Sequence, residues 1–167
     1  MVEQMRTNND CGPVVVAILT NNPYGRVMSL WPGGFQGNAS DSFIHHQGIL
    51  SRLGFGWETK SLSDLRSKMC TPMKTGILLN SKNDPKTWVR EDFIYLHWVV
   101  LQSYSDSGIF VHWGDGRIRH FTFEELNKHM TNPFSVAYEV VERIDVDLPW
   151  YKRLYKRLTS YIGRLWR

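Results

Sequence analysis

Cys11 lies in the segment Gln4-Met5-Arg6-Thr7-Asn8-Asn9-Asp10-Cys11-Gly12-Pro13, directly ahead of the apolar run Val14-Val15-Val16-Ala17-Ile18-Leu19. The run predicts a buried helix, which would set the thiol at a helix N-terminus. Unpaired N–H groups and roughly half a positive charge at that end favour a thiolate over a thiol. The thiolate is the nucleophile. Gln4, seven residues upstream, offers a side-chain amide that, with the Cys11 N–H, would hold a developing oxyanion. Together these residue types outline a cysteine hydrolase.

Such a nucleophile needs a base within hydrogen-bond reach, and the base needs an orienting acceptor. Of six histidines, His97 is the one inside an otherwise apolar strand, Leu96-His97-Trp98-Val99-Val100-Leu101. A histidine there is expensive to bury without partners. The competing reading is a core histidine satisfied by a backbone carbonyl; Cys11 tips the balance toward the base. The expected acceptor is Asp115, in Trp113-Gly114-Asp115-Gly116, against which stands a plain Asp-Gly turn. A hairpin turning near Asp106–Gly108 would run 109–113 back along 95–103 and bring Asp115 toward His97. His45, His46, His112, His120 and His129 form no defensible metal site and are expected to be structural or solvated. Cys70 reads as a bland helix-end residue. No metal or cofactor is expected.

The elements that must position these groups follow from local signals. Residues 11–20 are predicted as a helix closed by Asn21-Asn22-Pro23-Tyr24-Gly25, and 26–39 as loop. Ser40 would cap a helix over 41–53 stopped at Gly54, and Ser63 a short helix through Met69. Strands are expected at 76–80, 95–102, 109–113, 117–121 and 134–141. Thr122-Phe123-Glu124-Glu125 is a capping box opening a helix to about Met130. Helices first and a mostly antiparallel sheet after is an α+β order.

The chain has 167 residues, 42% of them hydrophobic and 13% aromatic, enough for one domain with a real core. Two cysteines imply no disulfide framework and favour a reducing compartment. No apolar stretch approaches the roughly 18–20 residues that span a bilayer, and no signal peptide is apparent. The net charge of +4 is concentrated at one end, where residues 150–167 carry six Lys/Arg and no Asp/Glu. The body is therefore slightly acidic, which argues against a nucleic-acid-binding face on it.

Gln4 with Asp10-Cys11-Gly12-Pro13, then His97-Trp98-Val99-Val100-Leu101, then Asp115 after the following strand, resembles the papain-like peptidases of the bacteriocin-processing family. Those enzymes cut leader peptides after a double glycine, often as the N-terminal domain of an export transporter. The resemblance spans roughly residues 1–142. It implies a papain-like fold with N-terminal helices packed on a mostly antiparallel sheet, and a polypeptide substrate. By position it implies Cys11 as nucleophile, His97 as general base and acid, Asp115 as orienter and Gln4 as oxyanion-hole amide. Where the family usually has Pro after the Asp, this chain has Gly116. Residues 81–94 look like an added loop, and no transporter domain accompanies the sequence. The chemistry thus carries over more firmly than the double-glycine specificity.

The expected division is a peptidase domain over 1–148 and a basic amphipathic helix over 149–167. Tyr151, Leu154, Tyr155, Leu158, Tyr161, Ile162 and Leu165 recur at helical spacing on one face, with Lys152, Arg153, Lys156, Arg157 and Arg164 on the other. Trp150 and Trp166 flank them, and Pro149 suits a first helical turn. This is the pattern of a helix lying on an anionic membrane surface; self-packing or docking on a protein assembly is the alternative. The expected location is cytoplasmic, peripheral to a membrane, or within an assembly such as a virus particle. Rival functions are a papain-like hydrolase of another amide (peptidoglycan or a ubiquitin-like tag), a cysteine transferase, and a silent structural or virion component that kept the fold.

Overall fold

The computed structural model describes residues 10–31, 43–80, 96–114, 116–130 and 137–142. Its elements run α1 (Cys11–Thr20), α2 (Tyr24–Leu30), α3 (Phe43–Arg52), β1 (Phe55–Lys60), α4 (Leu62–Arg66), β2 (Thr75–Asn80), β3 (Leu96–Tyr104), β4 (Gly108–His112), β5 (Ile118–Thr122), α5 (Phe123–Met130) and β6 (Ala137–Glu142). The strands form one sheet in the order β1-β6-β2-β3-β4-β5. Every pairing in it is antiparallel. The expected α+β architecture is the one observed.

α1 forms where the apolar run predicts it and buries every residue except Ile18. Pro13 falls in the first turn, where a missing N–H leaves no helical bond unmade. The helix stops at Asn21, which takes a left-handed φ of 52°, a conformation that asparagine tolerates better than most residues. Both faces of the sheet are covered. Val15, Val16, Leu19, Ile49 and Leu50 of α1 and α3 pack with Leu78, Trp98, Val100, Tyr138 and Val140. On the other face Leu65 of α4 and Leu126 of α5 pack with Ile77, Leu79, Val99, Leu101, Ile109 and Val111. Two-sided cover explains why β2 and β3 read as nearly unbroken apolar runs rather than alternating ones.

Three details differ from expectation. Residues 24–30, assigned in part to a loop, are helical. Pro23, which looks like a breaker, is the N-cap with an extended backbone (φ −58°, ψ 138°), and Val27 points into the core. β1 is a further element that the sequence pattern does not mark. It is a half-buried strand whose partner among the described strands, β6, lies some 80 residues away, so no local pattern announces it. The cap of α4 is Ser61, not Ser63: the Asp64 N–H donates to Ser61 Oγ (3.1 Å) and the Ser61 N–H donates to Asp64 Oδ2 (2.7 Å). An acid three residues beyond a serine closes the box, and Ser63 has none described. The box at Thr122–Glu125 forms as expected, with bonds of 2.8 and 3.2 Å. The expected Ser40 cap lies outside the described residues.

Candidate active site

The β3–β4 hairpin is the frame of the site. Its turn closes with the Ser105 N–H donating to the Gly108 carbonyl (3.0 Å). The paired residues run from Tyr104↔Ile109 to Val100↔His112, with a register shift between Leu101 and Ser103. The end of β4 therefore returns toward the start of β3, as the sequence argument required. There His97, 7% exposed, donates from Nε2 to the Trp113 carbonyl oxygen at 2.9 Å. A carbonyl only accepts, so the proton of the neutral ring is on Nε2 and the lone pair is on Nδ1. The Trp113 ring also packs on the imidazole, with centroids 4.4 Å apart and planes 38° apart.

Cys11 occupies the first position of α1 and is 8% exposed, packed into the cluster that contains Trp98 and Val100. α1 crosses β3 directly, so thiol and imidazole ride on two elements in contact. Strand alternation adds a condition. Trp98 and Val100 face α1, whereas Val99 and Leu101 line the other side, which is the side to which His97 also alternates. Pairing of the two would therefore require the imidazole to reach the start of α1 around the end of β3.

Asp10, beside the thiol, is buried, and its Oδ2 accepts a bond from Tyr24 Oη (3.0 Å). Its carbonyl accepts from the Val14 N–H (3.1 Å), beginning the helical ladder. Neither Tyr24 nor the carbonyl of Trp113 is marked in the sequence. Tyr24 carried no signal beyond its turn-like neighbours. A main-chain acceptor has no residue-type signature at all. Asp115 and Gln4 lie outside the described residues, as does the tail over 150–167.

Three of the other histidines bond within the fold. His46 is buried in an aromatic box, Nδ1 2.8 Å from Tyr138 Oη, with ring centroids 4.2 Å from Trp98 and 5.8 Å from Trp31. His120 Nε2 meets Ser105 Oγ at 2.9 Å. His112 Nδ1 accepts from the Gly114 N–H (3.1 Å). Among the described residues no cluster of three or more His, Cys, Asp or Glu side chains could hold a metal ion. Cys70 is a different thiol from Cys11: it is enclosed by the core on the α5 side. Burial pushes its thiol up to about 11. Among the described residues no helix is long and apolar enough to cross a membrane.

No protein-family model matches the sequence, and no curated protein matches it. Solved structures do. The peptidase domain of Streptococcus ComA, a bifunctional ABC transporter involved in a quorum-sensing pathway, superposes with a TM-score of 0.60 at 16% identity. That alignment covers 83% of this chain and 96% of the ComA domain. A double-glycine-motif protease from an AMS/PCAT transporter, solved with its leader peptide, gives 0.55 at 14% identity, covering 84% and 89%. At such identities the likeness speaks for architecture: the chain has the α+β fold of these papain-like peptidase domains.

Proposed function

We propose that this chain is a cysteine peptidase acting on a polypeptide through a thioester acyl-enzyme. The observation that carries the reading is the imidazole of His97, buried in the sheet and held by its Nε2 proton on the Trp113 carbonyl. The strand that bears it lies against the helix that Cys11 opens. In the reaction His97 takes the Cys11 proton through Nδ1, and the sulfur attacks the scissile carbonyl carbon. The oxyanion is received by the Cys11 N–H and the Gln4 side-chain amide. As the C–N bond breaks, the imidazolium returns the proton to the leaving amine, and a thioester remains. Water then attacks the thioester with His97 as base, releasing the acid and regenerating the thiol. Asp115, two residues past the carbonyl that holds Nε2–H, supplies the negative charge that favours the imidazolium.

The fold of a protease solved with a leader peptide supports an extended peptide as substrate. Mass-spectrometric profiling of a peptide library would identify the cleaved bond. On a peptide so identified, Gln4→Ala should lower kcat about 100-fold, on the order of 3 kcal/mol of transition-state stabilisation, with KM little changed. A change in KM alone would remove Gln4 from the oxyanion hole.

We further propose that residues 150–167 form the amphipathic basic helix that takes the enzyme to an anionic membrane surface. Trp150, Tyr151, Leu154, Leu158, Ile162, Leu165 and Trp166 would enter the interface, with Lys152, Arg153, Lys156 and Arg157 toward lipid headgroups. The full chain should float with anionic liposomes and a 1–148 truncation should not. Equal flotation of the two would eliminate membrane targeting by the tail.

A further inference from the structure

Resting on the peptidase reading, we propose that Trp113 is a positioning residue for His97, and that Arg119 holds its indole in place. Trp113 is bonded through both halves of its main chain. Its N–H donates to the Arg117 carbonyl (2.9 Å), tying it to the start of β5, and its carbonyl accepts from His97 Nε2. The next turn is fixed too, since the Gly114 N–H bonds to His112 Nδ1. The side chain repeats the arrangement. Its ring lies against the imidazole, and the Arg119 guanidinium carbon stands 4.0 Å from its centroid. Phe121, two residues along β5, stacks on it at 6.0 Å and 16°.

Each contact has a task in a proton-transfer step. A free imidazole turns about its side-chain bonds and exchanges between two tautomers, only one of which leaves Nδ1 as the acceptor. The carbonyl selects that tautomer. The indole face blocks ring rotation, and a cation over an aromatic face keeps the indole from swinging away. Arg119 and Phe121 alternate onto one side of β5, so a single strand supplies both restraints. The sequence alone suggested an aspartate as the sole orienter; the geometry assigns the positioning to a tryptophan as well.

The test uses the full chain, labelled with 15N-histidine, in wild type, Arg119→Met, Arg119→Lys, Trp113→Leu and Trp113→Phe. Two readouts are taken: the ring 15N resonances of His97, which report the tautomer, and the iodoacetamide alkylation rate of Cys11. At a pH of about 6, an ordinary thiol with pKa about 8.5 is almost wholly protonated. The alkylation rate is read there, and the tautomer at about pH 10, where the ring is neutral and wild type should show an unprotonated Nδ1 and a protonated Nε2. Arg119→Met and Trp113→Leu should give tautomer-averaged resonances and alkylate on the order of tenfold more slowly. Lysine and phenylalanine should restore most of both signals, which a role in stability alone would not require. Arg119 is half-buried on a strand near the sheet edge, so its variants remain informative if the Trp113 variants fold poorly. Wild-type tautomer and rate in Arg119→Met, or no rescue by lysine, overturns the proposal while leaving the peptidase reading intact. A wild-type alkylation rate that His97→Ala does not change overturns both.

Discussion

Cys11→Ala should abolish peptide cleavage while leaving the fold in place. The covalent step has no substitute nucleophile, and loss of a member of such a catalytic unit costs at least about 1,000-fold in kcat. Alanine is the best helix former, and the first position of α1 needs only a small side chain there. Deleting one sulfur leaves a small void, so the cost in stability should stay near 1–2 kcal/mol. The pair of measurements is kcat/KM on the library-derived peptide and a thermal melt. Residual cleavage within tenfold of wild type would remove Cys11 from the chemistry.

The largest stability effect is expected at Gly108. This residue opens β4 opposite Thr122. A Cβ there would fall 1.9 Å from the Phe121 carbonyl oxygen and 2.7 Å from Thr122 Cα. Both are backbone atoms, so no side chain can swing aside, and the β4–β5 pair must open. Those strands carry Ile109, Val111 and Phe121 into the core, together with the Trp113 and Arg119 contacts at the site. Gly108→Ala should cost about 3 kcal/mol or more, lowering the melting temperature by roughly 6–12 °C in a domain of this size. Gly48→Ala is the control. In the middle of α3 its added methyl meets nothing within 4 Å, and stability should rise by about 0.5–1 kcal/mol. Equal melts for the two variants would contradict the strand packing described here.

The parts of the molecule that could be read from the sequence are those with a local code. α1 announced itself through six consecutive apolar residues, α5 through its capping box, and the β3–β4 hairpin through a turn between two apolar runs. What stayed hidden was non-local or carried by the main chain. β1 exists because β6 pairs with it across about half of the chain, and the order β1-β6-β2 has no trace in neighbouring residues. α2 was obscured because Pro23 and Gly25 are breakers by type, yet proline at an N-cap begins a helix as readily as it ends one. Cys11 and His97 were visible because thiol and imidazole in apolar surroundings need a reason. The partner of His97 was not, because any residue type at position 113 would present the same carbonyl. The rival reading expects a histidine satisfied by a backbone carbonyl, and His97 has that bond; the same bond would hold the ring of the proposed general base.

The central claim is that Cys11 and His97 act as one unit, and the pH dependence of Cys11 alkylation tests it most directly. Iodoacetamide labelling would be followed from about pH 5 to pH 10 in wild type and in His97→Ala, with the two thiols resolved by peptide mapping. Cys70 provides an internal reference, since burial pushes it up to about 11 and it should stay unlabelled through neutral pH. The account predicts rapid labelling of wild-type Cys11 at about pH 6, and in His97→Ala a slow profile rising around pH 8.5 as for an ordinary thiol. A wild-type profile that already rises near pH 8.5 and is unchanged by His97→Ala would contradict it.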